Sequence, residues 1–311
     1  MSESGTSRGG FPLQGVYRPG GELPLSPWRR GPLEGLSWEA SLLLPPGTAR
    51  EIRPFLEGPL LGAAGAVTVP VDPASWGEGS ERPQGVLVED LEDWEAILEG
   101  AAREKPLYVA AFGGTPLVYP LLKAWGKKQG VDLQGWRGAF LGDPFGQGPL
   151  PSSLALELFL EMLEEGREQP SSFSLVSVTP LSLRREGATA AFEGAMALQR
   201  MRRWRKALQE RGLPFEALLG QAPVLLGLGM DFFEEVARLR ALRALWAKET
   251  GGTFPLFHGW TLLPEAEPLE PENDAIRAAL EIMAGVLGGV KVIHGGPVGG
   301  SWGFPPSVAR R

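Results

Sequence analysis

The sequence predicts an α/β fold, an eight-stranded (β/α)8 barrel of the TIM type that follows an N-terminal extended arm. The chain has 311 residues, and a single β/α barrel needs about 250. Short apolar runs alternate with longer amphipathic ones, and there are eight short runs. This alternation also fits a doubly wound sheet, and the count of eight favours the barrel.

The eight short runs are rich in Val and other apolar residues. Several are apolar on both faces, which is typical of parallel strands covered by helices on one side and by the barrel core on the other. Most end in Gly, Asp or Pro, which favour turns. We predict strands over Ala66–Val71, Gly85–Asp90, Leu107–Gly113, Gly138–Asp143, Phe173–Thr179, Pro223–Gly229, Phe254–Trp260 and Lys291–Gly296.

In the longer segments, apolar residues recur at three- and four-residue spacing, which predicts amphipathic helices. The segment Asp231–Lys248 shows this best, with acids near its start and bases near its end, as the helix dipole favours. Glu234 stands four residues before Arg238, a spacing that favours an ion pair. The predicted helices cover Ala49–Leu61, Leu91–Glu99, Pro116–Lys128, Ser152–Glu165, Ala188–Glu210, Asp231–Lys248 and Asn273–Leu287.

The N-terminal part of the chain lacks any period. Ser2–Arg30 is rich in Gly and Pro and is predicted to form a tail and an extended surface arm. Met1–Gly15 has no basic-then-apolar run, so we expect no signal peptide and a cytoplasmic location. The uncharged stretch Gly58–Val71 is too short to span a bilayer, and we expect no membrane partner.

Composition excludes several classes of function. The chain has no cysteine, which excludes disulfides, thiolate metal sites and a thiol nucleophile. His258 and His294 are the only histidines, so a histidine-rich metal site is excluded as well. The net charge of −7 argues against nucleic-acid binding, because phosphate contacts need a basic face.

Three segments of the C-terminal part carry a resemblance to a known family. GLGMDFFEEVARLRALRALWAK (Gly227–Lys248) resembles the strand–turn–helix segment of the methylmalonyl-CoA mutase family, from its Gly-x-Gly-Met turn to its Leu-Trp-Ala end. GWTL (Gly259–Leu262) is similar to the family's Gly-Trp-Ser-Leu segment, and Asn273–Gly289 to its Asn-Asn-x-x-Arg helix. The resemblance covers most of Pro27–Arg311.

The resemblance implies a tail and arm over residues 1–30 and a mutase-type barrel over residues 31–311. In active members the barrel axis admits an acyl-CoA chain and adenosylcobalamin caps one end. The family's cobalamin module carries an Asp-x-His-x-x-Gly motif whose histidine ligates cobalt, and neither His258 nor His294 stands in such a motif. We therefore expect no cobalamin-binding domain and no bound cofactor here, with adenosylcobalamin on a partner chain.

Residues that the family uses on its substrate are replaced in this chain. The position of the histidine that bonds the thioester oxygen falls on Ser182, and the tyrosine beside it becomes Leu181. The position of the tyrosine on the N-terminal arm falls near Leu23, and the segment Pro144–Pro151 contains no arginine where the family has one. We therefore expect no catalytic residue.

Two further replacements follow the same direction, from hydrogen-bonding groups toward weaker or apolar ones. A family arginine becomes Gln221, and a polar glutamine becomes Leu256. Because active sites depend on such groups, their joint loss predicts a barrel interior that is packed rather than open. Ser182, Gln221 and His294 stay as weak candidates for substrate contact, and no metal site is expected.

Other polar features have structural interpretations that we favour. His258 and His294 are interpreted as satisfied polar groups at strand ends. Asp143 follows a strand, where barrel enzymes place catalytic groups, and a helix cap or a loop salt bridge is at least as good an interpretation. The basic run Met201–Gly212 is interpreted as a solvated helix face, and the Gly-rich His294–Gly303 as a loop rather than a phosphate cradle.

These observations lead to an expected function and two alternatives. We expect a small, non-catalytic subunit of an adenosylcobalamin-dependent methylmalonyl-CoA mutase, an isomerase of acyl-CoA carbon skeletons. It would support a homologous catalytic chain in a heterodimer or a higher assembly. The first alternative is a split active barrel that uses a cobalamin module on another polypeptide. The second is an acyl-CoA-binding protein.

Overall fold

Eight parallel strands form a single sheet in the computed structural model, which describes residues 38–76, 85–131, 133, 135–146, 148–166, 172–215, 221–262 and 271–295. The predicted tail Ser2–Arg30 lies outside the described residues. The strands are β1 (Glu39–Leu43), β2 (Ala66–Pro70), β3 (Leu107–Ala110), β4 (Gly138–Phe140), β5 (Phe173–Ser174), β6 (Pro223–Leu228), β7 (Leu256–Thr261) and β8 (Val292–Gly295).

The sheet closes between β5 and β6. Its hydrogen-bonded order runs β5-β4-β3-β2-β1-β8-β7-β6, so these two strands form its ends. Val178, just beyond β5, makes a parallel bridge to Val224 of β6. The backbone N–H of Val178 donates to the Pro223 carbonyl at 2.8 Å, and the N–H of Leu225 donates to the Val178 carbonyl at 2.9 Å. The predicted α/β barrel is confirmed.

Helices cover the outside of the barrel, and the predicted ones are confirmed with shifts of a few residues at their ends. The stretch predicted over Ala49–Leu61 divides into two helices. A short helix before α7 was not predicted. The helices are α1 (Ala49–Leu56), α2 (Pro59–Ala63), α3 (Leu91–Ile97), α4 (Thr115–Gln129), α5 (Ser152–Glu165), α6 (Leu181–Arg185), α7 (Ala190–Glu210), α8 (Phe232–Thr250) and α9 (Pro271–Gly288).

The strand predicted over Gly85–Asp90 is wrong. Only Val86 pairs there, bridging Gly47 after β1 and Val71 after β2. It fits between the diverging ends of those two strands, where its N–H donates to the Pro70 carbonyl at 2.6 Å. Val86 is fully buried, which explains why the segment has the composition of a strand. Its last residue, Asp90, instead caps α3 by accepting bonds from the next helix turn.

The first barrel strand is β1, which the sequence did not predict. Its residues, Glu-Ala-Ser-Leu-Leu, include no β-branched or aromatic side chain. The strand forms because both neighbours pair with it: Ser41 lies opposite Ala66 of β2 and opposite His294 of β8. Tertiary pairing therefore outweighs local preference at this position.

Apolar side chains divide between two sides of the sheet. The fully buried Trp94, Trp125, Trp204 and Trp246 belong to the clusters between sheet and helices. A separate cluster takes one side chain or more from most of the strands and fills the interior. Among the described helices none is both long enough and apolar enough to cross a membrane.

Candidate functional site

The barrel interior is closed by apolar side chains. Strand residues alternate between the helix side and the interior, so alternate positions of each strand meet on the axis. Leu181, the first residue of α6, joins them from the end of the barrel at which the strands finish, and it is fully buried. The buried interior cluster comprises Ala66, Tyr108, Ala110, Ala139, Leu141, Leu181, Leu225, Trp260 and Val292.

A chain of polar side chains crosses this interior through four adjacent strands. Ser41 Oγ of β1 lies 2.6 Å from Thr68 Oγ1 of β2. Thr68 Oγ1 lies 2.6 Å from His294 Nδ1 of β8, and His294 Nε2 lies 3.0 Å from His258 Nδ1 of β7. All four residues are buried, so the bonds satisfy groups that water does not reach.

Both imidazoles are neutral at ordinary pH. Burial lowers the pKa of His258 to about 3. Burial lowers the pKa of His294 well below its usual value, and repulsion from a charged His258 would lower it further. The ring of Tyr108 meets both imidazoles edge-on, with centroids 5.1 and 5.2 Å away. His294 uses both ring nitrogens in the chain, whereas His258 Nε2 has no partner among the described residues.

A cavity of about 480 Å³ opens at the end of the barrel at which the strands begin. Three cationic residues line it: Arg137, Arg243 and Lys291. The guanidinium of Arg137 lies 3.6 Å from the carboxylate of Glu39 in β1. Tyr108 and His258 line its inner end, and burial raises the pKa of the Tyr108 hydroxyl. The residues that line the cavity are Tyr108, Arg137, Gly138, Ala139, Ser172, Ser174, Gln221, Pro223, Arg243, Phe254, Pro255, Leu256, His258 and Lys291.

The candidate residues named from the sequence do not form one site. Ser182 lies in α6, at the end of the barrel where the strands finish. Gln221 is exposed just before β6, at the opposite end, where it lines the cavity. His294 lies between them, inside the barrel. Leu256 lines the cavity with Gln221, and the predicted position near Leu23 lies outside the described residues.

Asp143, in the position typical of a catalytic group, is held in an ion pair with Arg200 of α7. Arg200 Nη1 donates to both carboxylate oxygens, at 3.1 and 3.0 Å, and also to the Thr179 carbonyl. The backbone N–H of Thr179 and that of Phe145 donate to Asp143 at 2.6 and 2.9 Å. The Asp143 side chain is fully buried, so this network positions loops rather than presenting a reactive oxygen.

A second buried network explains the segment that most resembles the family. Gly227 donates its N–H to Glu193 of α7 at 2.8 Å, and its carbonyl accepts from Arg238 of α8 at 2.7 Å. Arg238 also donates to Glu193 at 2.7 Å and to Glu235. The ion pair predicted between Glu234 and Arg238 is wrong, because Glu235 is the acid that faces inward.

Sequence reasoning did not find these networks, because each joins residues far apart in the chain. Thr68 and His294 are 226 positions apart, and Asp143 and Arg200 are 57 apart. The available signal was weak: a polar residue within an otherwise apolar strand run, as at Thr68 and His258. No group of three or more metal-binding side chains occurs among the residues that the structure describes.

Comparison with known proteins agrees with this barrel. Residues 71–311 match the family described as methylmalonyl-CoA mutase. The chain belongs to the methylmalonyl-CoA mutase family. It is 25% identical over 298 residues to the methylmalonyl-CoA mutase of Rhizobium meliloti, which covers 86% of this chain and 42% of the relative.

Two further relatives give the same result. The mitochondrial methylmalonyl-CoA mutase of Homo sapiens is 24% identical over 326 residues, covering 93% of this chain and 43% of its own. The methylmalonyl-CoA mutase large subunit of Porphyromonas gingivalis is 24% identical over 304 residues, covering 87% and 42%. The chain thus spans less than half the length of these relatives.

Neither histidine of the described residues is available to ligate the cobalt of adenosylcobalamin. In the family a histidine ligates the cobalt, and such a ligand needs a free and accessible ring nitrogen. His294 has both ring nitrogens in hydrogen bonds, and His258 has one bonded and the other enclosed.

Proposed function

We propose that this chain is a small, non-catalytic subunit of an adenosylcobalamin-dependent methylmalonyl-CoA mutase, and that it binds a homologous catalytic chain. The observation that carries the proposal is Leu181. It stands beside Ser182, the position of the family's thioester-binding histidine, and its side chain packs into the interior cluster. This end of the barrel therefore carries Leu181 and the short hydroxyl of Ser182 where the resemblance implies a tyrosine and a histidine.

The two histidines support the same proposal. A catalytic imidazole has to exchange a proton with a substrate, and it works best with a pKa near the operating pH. Burial keeps His258 and His294 neutral, and they bond to each other. Their arrangement favours a role in holding four barrel strands together.

The proposal is tested by co-expression with a longer mutase chain that carries its own tyrosine–histidine pair and cobalamin motif. We expect a stable complex that converts methylmalonyl-CoA to succinyl-CoA, and no turnover by this chain alone with added adenosylcobalamin. A matched pair of variants, Ser182→His and Leu181→Tyr/Ser182→His, should leave the chain inactive, because Asp143 and the histidines stay in closed networks. Turnover by the chain alone would overturn the proposal.

A second candidate, an acyl-CoA-binding protein, is favoured by the cavity where the strands begin. Arg137, Arg243 and Lys291 bring three positive charges around about 480 Å³ of space, and polar groups of Ser172 and Gln221 line it. Phosphate groups of a CoA carrier are a natural ligand for such cations. Binding of CoA at this cavity does not need an open barrel interior, because the cavity is reached from outside the barrel.

Calorimetry distinguishes the two candidates. Titration with CoA and with acetyl-CoA should show binding that Arg137→Ala and Lys291→Ala each weaken about tenfold, the loss of one charge-assisted bond. Lys206→Ala is the matched control, because Lys206 is 79% exposed on α7, away from the cavity. No heat at millimolar ligand would remove this candidate and also the split active mutase, while leaving the non-catalytic subunit in place.

A further inference from the structure

The cavity at the end of the barrel where the strands begin leads from an open rim to a buried base. Phe254, Leu256 and His258 line it from alternate positions of the chain that enters and forms β7, so all three face one side of that chain. Phe254 is 41% exposed, Leu256 is half-buried and His258 is 1% exposed. At about 3.3 Å per residue, Phe254 and His258 are roughly 13 Å apart along the chain. The cavity therefore has the depth to hold a small extended molecule end-on.

The base of the cavity carries a hydrogen-bonding nitrogen. His258 Nδ1 faces His294 at 3.0 Å. His294 lies one step deeper in the barrel, because the strand register places it opposite Trp260 rather than opposite His258. Nε2 is on the other edge of the His258 ring, at the base of the cavity, and it has no hydrogen-bond partner among the described residues. Buried polar atoms are normally bonded, so Nε2 marks a position for a polar group of a ligand.

The outer part of the cavity is cationic. Arg137, Arg243 and Lys291 line it, and none of the described lining residues is acidic. Glu39 lies 3.6 Å from Arg137 and offsets at most one of the three charges. Arg243 is fixed in place, because its guanidinium donates to the Gly289 carbonyl at 2.6 Å. Burial lowers the pKa of Arg243, so an anion beside it would compensate its charge.

An apolar wall separates the cations from the base. Proline and phenylalanine side chains favour contact with flat apolar groups. Beyond the base the interior cluster closes the barrel, so a molecule that enters the cavity ends at His258. The cavity therefore suits a molecule with an apolar body and a polar group at each end. The wall comprises Ala139, Pro223, Phe254, Pro255 and Leu256.

We propose that this cavity binds a small free organic acid, whose carboxylate meets the outer cations and whose hydroxyl or carbonyl group bonds His258 Nε2. The carboxylate belongs at the outer end, because the base offers it no charge to pair with. Nε2 donates in one neutral tautomer of the ring and accepts in the other. The chain of bonds through His294, Thr68 and Ser41 permits both, since the Ser41 hydroxyl at its far end either donates or accepts.

Calorimetry of the purified full chain with para-hydroxyphenylacetate tests the proposal. This probe has a carboxylate, a flat apolar ring and a hydroxyl at the opposite end, and we expect a dissociation constant below about 1 mM. Phenylacetate lacks the hydroxyl and tyrosol lacks the carboxylate, so each should bind about tenfold more weakly. No heat from the probe at about 10 mM, or equal affinity for all three compounds, would overturn the proposal.

Two variants separate the two ends of the cavity. Lys291→Met should weaken para-hydroxyphenylacetate and phenylacetate alike, by about tenfold, because both carry the carboxylate. His258→Asn should weaken only para-hydroxyphenylacetate, because only its hydroxyl reaches Nε2. Lys206→Met is the matched control, since Lys206 is 79% exposed on α7, away from the cavity. An equal loss for both acids in His258→Asn would contradict the contact at the base.

Nitrogen NMR of the wild-type chain reads the base of the cavity without relying on the folding of a variant. His258 and His294 are the only histidines, so isotope-labelled histidine gives a spectrum of these two rings alone. Saturation with para-hydroxyphenylacetate should shift the His258 Nε2 signal, and the direction of the shift shows whether Nε2 donates or accepts. Phenylacetate should move this signal much less. A signal that stays in place at saturation would overturn the proposal.

Other anions give two further outcomes. Sulfate that binds as tightly as para-hydroxyphenylacetate would show that the cations hold any anion, and this would overturn the proposal. CoA that binds while the probe does not would also overturn it and would favour the acyl-CoA-binding candidate. The inference does not rest on the proposed function. Failure to bind a catalytic mutase chain leaves the affinity for the acid unchanged, and failure of the acid to bind leaves such a complex intact.

Discussion

The ring nitrogens His258 Nδ1 and His294 Nε2 lie 3.0 Å apart inside the barrel, and this contact couples the tautomer of one ring to that of the other. If Thr68 donates to His294, then His294 donates to His258, and the free nitrogen of His258 carries a proton. In the opposite arrangement His258 donates and its free nitrogen is bare. Either way one neutral tautomer of each ring satisfies the chain, and burial is what disfavours a charged ring.

The first prediction concerns pH. The pKa of His258 is about 3 in the folded chain and about 6.5 when unfolded, so protonation favours the unfolded state. The folded chain therefore has its full unfolding free energy above pH 6.5, where His258 is neutral in both states, and it loses stability as the pH falls toward 3. From pH 7 to pH 5 the loss is about 2 kcal/mol for His258.

The comparison that isolates this effect is His258→Asn, because an asparagine keeps a polar group near Nδ1 and does not titrate. Urea unfolding at pH 7 and pH 5 gives the two differences in unfolding free energy. We expect the wild-type advantage over the variant to shrink by about 2 kcal/mol at the lower pH. An advantage that is equal at both values would show that His258 is not held neutral.

The second prediction concerns the buried pair of Asp143 and Arg200. Their side chains are 0% and 4% exposed, so removing one partner leaves a charge without water or a counterion. Arg200→Met should cost about 3–5 kcal/mol of unfolding free energy. Arg53→Met breaks the exposed pair with Glu57 and should cost less than about 1 kcal/mol. Equal costs for the two variants would contradict the network described around Asp143.

The third prediction concerns Glu281 of α9. Burial, and secondarily the charge of Glu235, raise its pKa to about 8. Its carboxyl is then protonated in the folded chain and ionised in the unfolded chain between pH 4.5 and 8, so it lowers stability as pH rises through that range. Glu281→Gln should therefore stabilise the chain, with a gain that grows by about 2 kcal/mol from pH 5 to pH 7.

Glu210→Gln is the control for this effect, because Glu210 is 67% exposed and pairs with Lys206 on the helix surface. Its change in unfolding free energy should stay within about 0.5 kcal/mol at both pH values. Thermal unfolding monitored by circular dichroism at pH 5, 6, 7 and 8 measures both variants. A gain for Glu281→Gln that does not depend on pH would mean that the carboxyl is already ionised in the folded chain.

The fold was predictable from the sequence because a parallel barrel repeats one local pattern. The helices with a strong apolar period, such as Ser152–Glu165, were placed correctly, since their burial and their local preference agree. The first strand was not, because Glu39–Leu43 owes its conformation to two neighbouring strands. The segment around Val86 was wrongly predicted as a strand, because a buried segment has the same apolar composition as a strand even when it does not pair like one.

The site was less predictable, and the reason is distance along the chain. Leu181 and Ser182 follow the fifth strand, and their match to the family's tyrosine and histidine stays a prediction. The resemblance gave no sign that His294 would bond to Thr68, which follows from the pairing of β1 with β8 and with β2. It also gave no sign of the cavity around Arg137 and Lys291, which is lined by residues just before five different strands.

The last prediction tests a close approach that a strand needs. At Gly138, the first residue of β4, a Cβ would lie 1.9 Å from the Leu107 carbonyl oxygen, and φ is +153°. Gly138→Ala has to separate β3 from β4, so it should cost more than about 3 kcal/mol of unfolding free energy. Gly62→Ala is the matched control, because nothing lies within 4 Å of a Cβ there in α2. It should be neutral or stabilise by up to about 1 kcal/mol, since alanine restricts the unfolded chain. Urea unfolding measures both, and a cost below about 1 kcal/mol for Gly138→Ala would mean that the two strands do not approach so closely.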